Sequence, residues 1–137
     1  MKNKQISPNG ESTRLNDKLD AFMAVEVMEW HKGKGTKDIY SGFTFIWWRD
    51  RYDEAQVPIH EWHSTTDPAQ ALMCAEKYMH TKKGYERFIV SYQKNINGWV
   101  YEVTIEHVYY ENIVVVTDKS QPLAICQAIF KAMEGDK

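Results

Sequence analysis

The run Trp47-Trp48-Arg49-Asp50-Arg51-Tyr52 brings together residue types suited to gripping a ligand. An arginine guanidinium meets phosphate or carboxylate through a two-pronged fork, and indole or phenol rings stack on flat or cationic groups. If one strand continues through the run, Trp47, Arg49 and Arg51 share a face, with Trp48 and Tyr52 on the other. Such a group would hold a nucleotide-like ligand or an acidic surface of a host protein. The competing reading is structural: the tryptophans are core, and the arginines pair with Asp50, Asp53 or Glu54. Further on, Ser64-Thr65-Thr66-Asp67 opens a helix, whose free N–H groups and positive dipole end attract anions, with Asp67 competing for the same place. The expected ligand-binding residues are therefore Trp47, Trp48, Arg49, Arg51, Tyr52, Ser64, Thr65 and Thr66.

Other chemistry has less behind it. His60-Glu61-Trp62-His63 approaches a zinc motif, but a helical zinc site needs its histidines four apart and these are three apart. On a strand the two would face opposite ways. His31, His80 and His107 supply no third ligand at a usable spacing. Asp50, Asp53 and Glu54 read more simply as a solvated loop than as a cation site. There is no glycine-rich phosphate loop and no nucleophile elbow. The expectation is no catalytic residue, no metal and no cofactor.

The elements that would position these groups follow from periodicity. Leu15, Leu19, Phe22, Met23, Val27 and Trp30 recur at helical spacing, and Gly33 and Gly35 end that helix. Residues 40–48, β-branched and aromatic, predict one strand, and residues 49–58 a long charged loop. Asp67-Pro68-Ala69-Gln70 predicts a capped helix start with Gln70 completing a capping box, and Ala71, Leu72, Ala75, Tyr78 and Met79 its buried stripe, closed by Lys82-Lys83-Gly84. Asn97-Gly98 predicts a hairpin between strands 85–95 and 99–108. Residues 112–117 form a further strand, and a last helix starts near Ser120 with Pro122 in its first turn. The class is α+β, a mainly antiparallel sheet sandwiched by helices in the order α-β-α-β-β-β-α. Residues 1–11 read as a flexible tail and 12–137 as a single domain, with Leu19, Phe22, Trp30, Val103, Ile105, Ile125 or Cys126, and Phe130 in one core.

Composition bounds the function classes. At 137 residues, 43% hydrophobic and 26% charged, the chain can bury a core unaided. Five Trp and eight Tyr raise the expectation of a binding surface. A net charge of −2 argues against general nucleic-acid binding, which needs a basic footprint. Cys74 and Cys126 fall within apolar helical patterns and read as reduced core thiols, so no disulfide is expected. No apolar run follows Met1-Lys2-Asn3-Lys4-Gln5 and no stretch approaches the ~20 residues of a membrane span, so a cytoplasmic protein is expected.

Three segments carry a resemblance: residues 19–30 (Leu19 to Trp30), Ser64-Thr65-Thr66-Asp67 leading into Ala-rich residues 69–75, and Pro122-Leu123-Ala124-Ile125-Cys126-Gln127-Ala128. With Gly98-Trp99 they frame residues 15–135 and resemble the phage ABA-sandwich family of small phage and prophage domains. The resemblance implies a helix-sandwiched sheet and a viral origin, and no activity. The aromatic strand and charged loop over 39–62 depart from the family's pattern. The expected function is a non-enzymatic phage accessory protein that binds a host factor or nucleotide-like ligand, with anti-defence as one such role. The alternatives are a self-associating structural or regulatory phage protein, a homo-oligomer through exposed aromatics, and a hydrolase or nuclease using the histidines and acids near residue 60.

Overall fold

The computed structural model describes residues 8–37, 39–81, 86–107 and 113–135. Residues 1–7 of the expected tail, the Lys82-Lys83-Gly84 helix end and the strand ends at 85, 108 and 112 lie outside them. In chain order the elements are α1 (Pro8–Phe22) continued by a π-helical turn (Met23–Val27), β1 (His31–Lys32), β2 (Thr36–Lys37), β3 (Thr44–Phe45), β4 (Trp47–Arg49) and β5 (Ala55–Pro58). A single 3-10 turn (Ile59–Glu61), α2 (Pro68–Thr81), β6 (Glu86–Asn95), β7 (Gly98–His107), β8 (Ile113–Asp118) and α3 (Gln121–Gly135) complete it. The class is α+β with antiparallel sheets.

The largest sheet is the meander β6-β7-β8. Its hairpin forms where Asn97-Gly98 predicts one, with the turn a residue earlier: Asn95 pairs with Gly98, and Gly98 takes φ +110, which favours glycine. Phe88, Val90, Val103, Ile105, Val114 and Val116 form the face that packs into the core with α2 and α3. Ile89 and Val115, on the opposite face by parity, are 41% and 47% exposed. Toward the hairpin tip the core-side face runs on into Tyr92, Trp99 and Tyr101, with Tyr92 stacked on Trp99 at 5.0 Å and tilted against Tyr101 at 4.6 Å.

Both later helices start as their sequences dictate. Asp67 Oδ1 accepts the N–H groups of Ala69 and Gln70, and Ser120 Oγ accepts that of Leu123. Gln70 departs from a capping box. Its side chain accepts from His63 N at 2.6 Å and donates to the Glu61 carbonyl, so it ties down the preceding loop instead of the cap residue. The buried stripe of α2 is Ala71, Cys74, Ala75 and Tyr78, while Leu72 is 52% exposed. The small residues Ala71, Cys74 and Ala75 let α2 approach α3, where Cys126 is buried as well. Cys74 and Cys126 are free thiols, and contact with Cys126, then burial, pushes the Cys74 thiol up. One core takes in Trp30, Val103, Ile105, Ile125 and Cys126, with Leu19, Phe22 and Phe130 packed against it; Phe22 meets Phe130 edge-on at 4.8 Å.

The first helix starts and ends differently from its periodicity. It begins at Pro8, inside the expected tail, with proline in its first turn. At its other end the chain widens: Met28 N donates to Met23 O and Trp30 N to Ala24 O. It stops at Met28, well before Gly33, because Glu29 takes φ +62. That reversal turns Trp30 inward, where it is 7% exposed. A side chain in the left-handed region costs about 1–2 kcal/mol, offset in a glycine by a floppier unfolded chain. Glu29→Gly is therefore expected to raise stability by roughly 0.5–1 kcal/mol in urea denaturation.

The expected single strand over residues 40–48 is broken up. Gly42 takes φ +78, strand pairing only begins at Thr44, and β3 pairs with β2 whereas β4 pairs with β1 and β5. Residues 49–58 likewise are not one long loop. Asp50 Oδ1 accepts the N–H groups of Tyr52 and Glu54 and its Oδ2 that of Gln56, folding residues 50–54 into a tight turn ahead of β5. Among the described residues no helix is long and apolar enough to cross a membrane.

Candidate functional site

Strand β1 and the chain after it, His31-Lys32-Gly33-Lys34-Gly35-Thr36, lie beside β4, with Gly33 N donating to Trp47 O. Two glycines here leave room for neighbouring side chains. A Cβ on Gly33 would lie 2.3 Å from Arg49 Nε, and one on Gly35 would lie 2.6 Å from Thr44 Cγ2. Arg49 thus rests across bare backbone, and its Nη1 donates to Asp53 O at 2.9 Å. Asp53 also receives His31 Nε2 at 3.2 Å on its carboxylate. The result is a cleft of about 500 Å³ lined by His31, Lys32, Gly33, Lys34, Gly35, Thr36, Arg49 and Asp53. Three permanent cations, Lys32, Lys34 and Arg49, face one carboxylate there, so the cleft is net positive.

Lys32 also belongs to a second cavity of about 310 Å³, whose wall includes Asp17, Asp20, Ala21, Trp48, Ile59, His60, Trp62 and His63. Its floor is core. Trp48 and Trp62 are each 3% exposed, and Trp62 packs edge-on against Trp30 at 4.9 Å while its Nε1 donates to Asp20 O at 2.8 Å. Lys32 Nζ sits 5.8 Å from the centre of the Trp48 ring. The Trp48 indole N–H is buried and has no acceptor among the described residues. Asp20 Oδ1 accepts from Ser64 Oγ at 3.0 Å and from Thr65 N at 2.7 Å. Burial raises the Asp20 pKa, against the lowering effect of those bonds and of His63 nearby. His60 and His63, which would face apart on a strand, share this cavity; a 3-10 turn carries His60, and His63 follows two residues after that turn ends.

The sequence-expected site residues are thus spread over several places. Arg49 stands in the basic cleft, and Trp48 forms a wall of the adjoining cavity. Trp47, half-buried in β4, pairs with Pro58. Arg51 and Tyr52 line a third cavity, of about 500 Å³, with Glu29, Trp30, Gln56 and Lys77; the Arg51 guanidinium lies 5.0 Å from the Tyr52 ring. Ser64 and Thr65 are buried on Asp20, and Thr66 Oγ1 donates to His63 O. The start of α2 is not an open anion site, since Asp67 takes its free N–H groups and Gln70 takes that of His63. Lys32 and Lys34 were missed because Gly33 and Gly35 read as a helix stop. The alternation of cations with glycines was the available signal.

No protein-family model matches this chain, and neither a curated protein nor a solved structure matches it.

Proposed function

We propose that this chain is a non-enzymatic binding protein for an anionic, nucleotide-like ligand, acting as a phage or prophage accessory protein. The observation that carries the reading is the basic cleft, where Lys32, Lys34 and Arg49 gather round glycine backbone with Asp53 as the one acid among the described residues of its wall. Arginine offers a planar fork to phosphate and lysine a mobile point charge. The phage assignment rests on the resemblance of the three helical segments, and sequestering a host nucleotide signal is a task a small protein of this kind would perform.

The test is calorimetric titration with inorganic pyrophosphate at low ionic strength. Wild type is expected to bind, and Lys34→Ala with Arg49→Ala to weaken binding about tenfold to a hundredfold, the worth of one or two charge-assisted hydrogen bonds. Gly33→Ala is the sharper variant. It leaves net charge untouched but pushes Arg49 out of place, so it should weaken binding as Arg49→Ala does. A wild type indifferent to pyrophosphate, or a Gly33→Ala chain that binds normally, would refute the cleft.

A second reading, self-association, is favoured by one feature. Tyr92 and Trp99 stack while 56% and 54% exposed, and Ile96 at the adjoining turn is fully exposed. Light scattering of wild type and Trp99→Ala across a concentration series tests it, with a concentration-dependent mass in the first alone as the supporting result.

A further inference from the structure

A hairpin grows directly out of the basic cleft. Strands β2 and β3 pair Thr36 with Phe45 and Lys37 with Thr44, and Thr36 is itself part of the cleft wall. Lys37 is exposed and adds a cation one residue beyond that wall. Past it the loop carries Ile39, Tyr40 and Phe43, which are 84%, 92% and 68% exposed. Single exposed apolar side chains are normal on a surface, but three within one short loop form a patch. The tip has a definite shape. Phe43 N donates to Ser41 Oγ at 3.2 Å and Gly42 takes φ +78, so the backbone turns sharply between the two rings. Cations and rings thus follow one another along one ribbon: Lys32 and Lys34 in the cleft, Lys37 at the last strand pair, then Tyr40 and Phe43.

We infer that the cleft and this hairpin together take a single-stranded oligonucleotide, its phosphates along Lys34 and Lys37 and its bases on Tyr40 and Phe43. Lysines that track a phosphate backbone, with aromatic rings on which bases of any identity stack, are the two requirements for holding a single strand. The inference rests on the proposed anion cleft and extends its ligand from one nucleotide to a short strand. A duplex fits less well, because its bases are stacked on one another and offer a ring no open face. The net charge of −2 does not stand against a local track, since at physiological ionic strength charges more than about 8 Å away are largely screened. An anionic lipid surface would also accept an apolar tip beside lysines, but it presents its phosphates in a plane, and the cations here line a recess of about 500 Å³.

The experiment titrates the full chain with inorganic pyrophosphate by calorimetry and with an end-labelled oligothymidylate of about ten nucleotides by fluorescence anisotropy. The oligonucleotide is expected to bind wild type about tenfold or more tightly than pyrophosphate does, the size of one stacked base. Tyr40→Ala with Phe43→Ala, both outside the cleft wall, should remove most of that advantage and leave pyrophosphate unchanged, with the fold checked by urea denaturation. Lys34→Ala should weaken both ligands. Lys37→Ala should weaken the oligonucleotide alone and flatten its log–log salt dependence by about 0.7, the share of one phosphate contact. If pyrophosphate binds and the oligonucleotide binds no more tightly, the strand is refuted and the cleft stands. If the oligonucleotide binds more tightly but is indifferent to the loss of both rings, the inference is overturned. It is overturned as well if vesicles of phosphatidylserine, and not the oligonucleotide, capture wild type and release the double variant. If neither pyrophosphate nor the oligonucleotide binds, the cleft and the strand fall together.

Discussion

Replacing Trp62 by alanine should lower unfolding free energy by about 3–5 kcal/mol, among the largest effects expected of a single change here. Three things are lost together. The indole is 3% exposed, so its removal opens a large void beneath the candidate cavity. Its edge-on contact with Trp30 at 4.9 Å goes, and with it the packing that holds the inward turn after the π-helical segment. Its Nε1 no longer donates to Asp20 O, so a buried carbonyl loses that partner. Trp62→Phe keeps most of the volume and should cost distinctly less; its own cost reports the lost hydrogen bond and the smaller ring system, and the difference from Trp62→Ala reports the volume. Urea denaturation of the two variants checks this, and equal losses would mean that volume is not what matters.

Asp20 offers the second large effect, and two substitutions there should separate sharply. Asp20→Ala strands the Thr65 N–H and the Ser64 hydroxyl in the interior and should cost about 3 kcal/mol. Asp20→Asn retains an oxygen in the place of Oδ1 and loses the charge that burial penalises, so it should cost less than about 1 kcal/mol. The pH dependence has a definite sign. Burial raises the folded-state pKa above its ordinary value near 3.8, so within that window the folded chain holds a proton that the unfolded chain has released. Fewer protons bound by the unfolded state means stability falls as pH rises from 3.8 through the raised value, with the contribution fully present below 3.8. Denaturation of wild type and Asp20→Asn at closely spaced pH values should show this slope only in wild type. A wild-type slope of opposite sign over that window, absent in Asp20→Asn, would place the carboxylate in a setting that favours its charge.

What was legible in the sequence was local. The caps at Asp67 and Ser120 and the Asn97-Gly98 hairpin signal act over two or three residues, and each forms with at most a one-residue shift. The apolar stripes of the three helices, Leu15 and Leu72 excepted at 66% and 52% exposed, converge on one core because burial of a helical face needs no knowledge of its partner. The candidate site was legible only in part. Arg49 and Trp48 were singled out for their chemistry, but strand parity put Arg51 beside Arg49, whereas the turn organised by Asp50 sends Arg51 to another cavity. Asp20 meets Thr65 across 45 residues of chain, a contact no periodicity encodes. Ser64 and Thr65, read as an anion-binding helix start, are instead consumed in holding that carboxylate.

The placement of the tryptophans makes the protein its own optical probe. Of the five indoles, Trp48 and Trp62 are buried in the wall of the candidate cavity, Trp30 is buried against Trp62 and Trp47 is half-buried in β4, while Trp99 stands 54% exposed on the hairpin. Emission should therefore resolve into a blue-shifted component from the first group and a red-shifted one from Trp99. Acrylamide should quench the red component first. A small molecule arriving in the cavity would disturb only the blue light, and a second protein docking on the hairpin only the red. Colour alone would then tell the two events apart without any label.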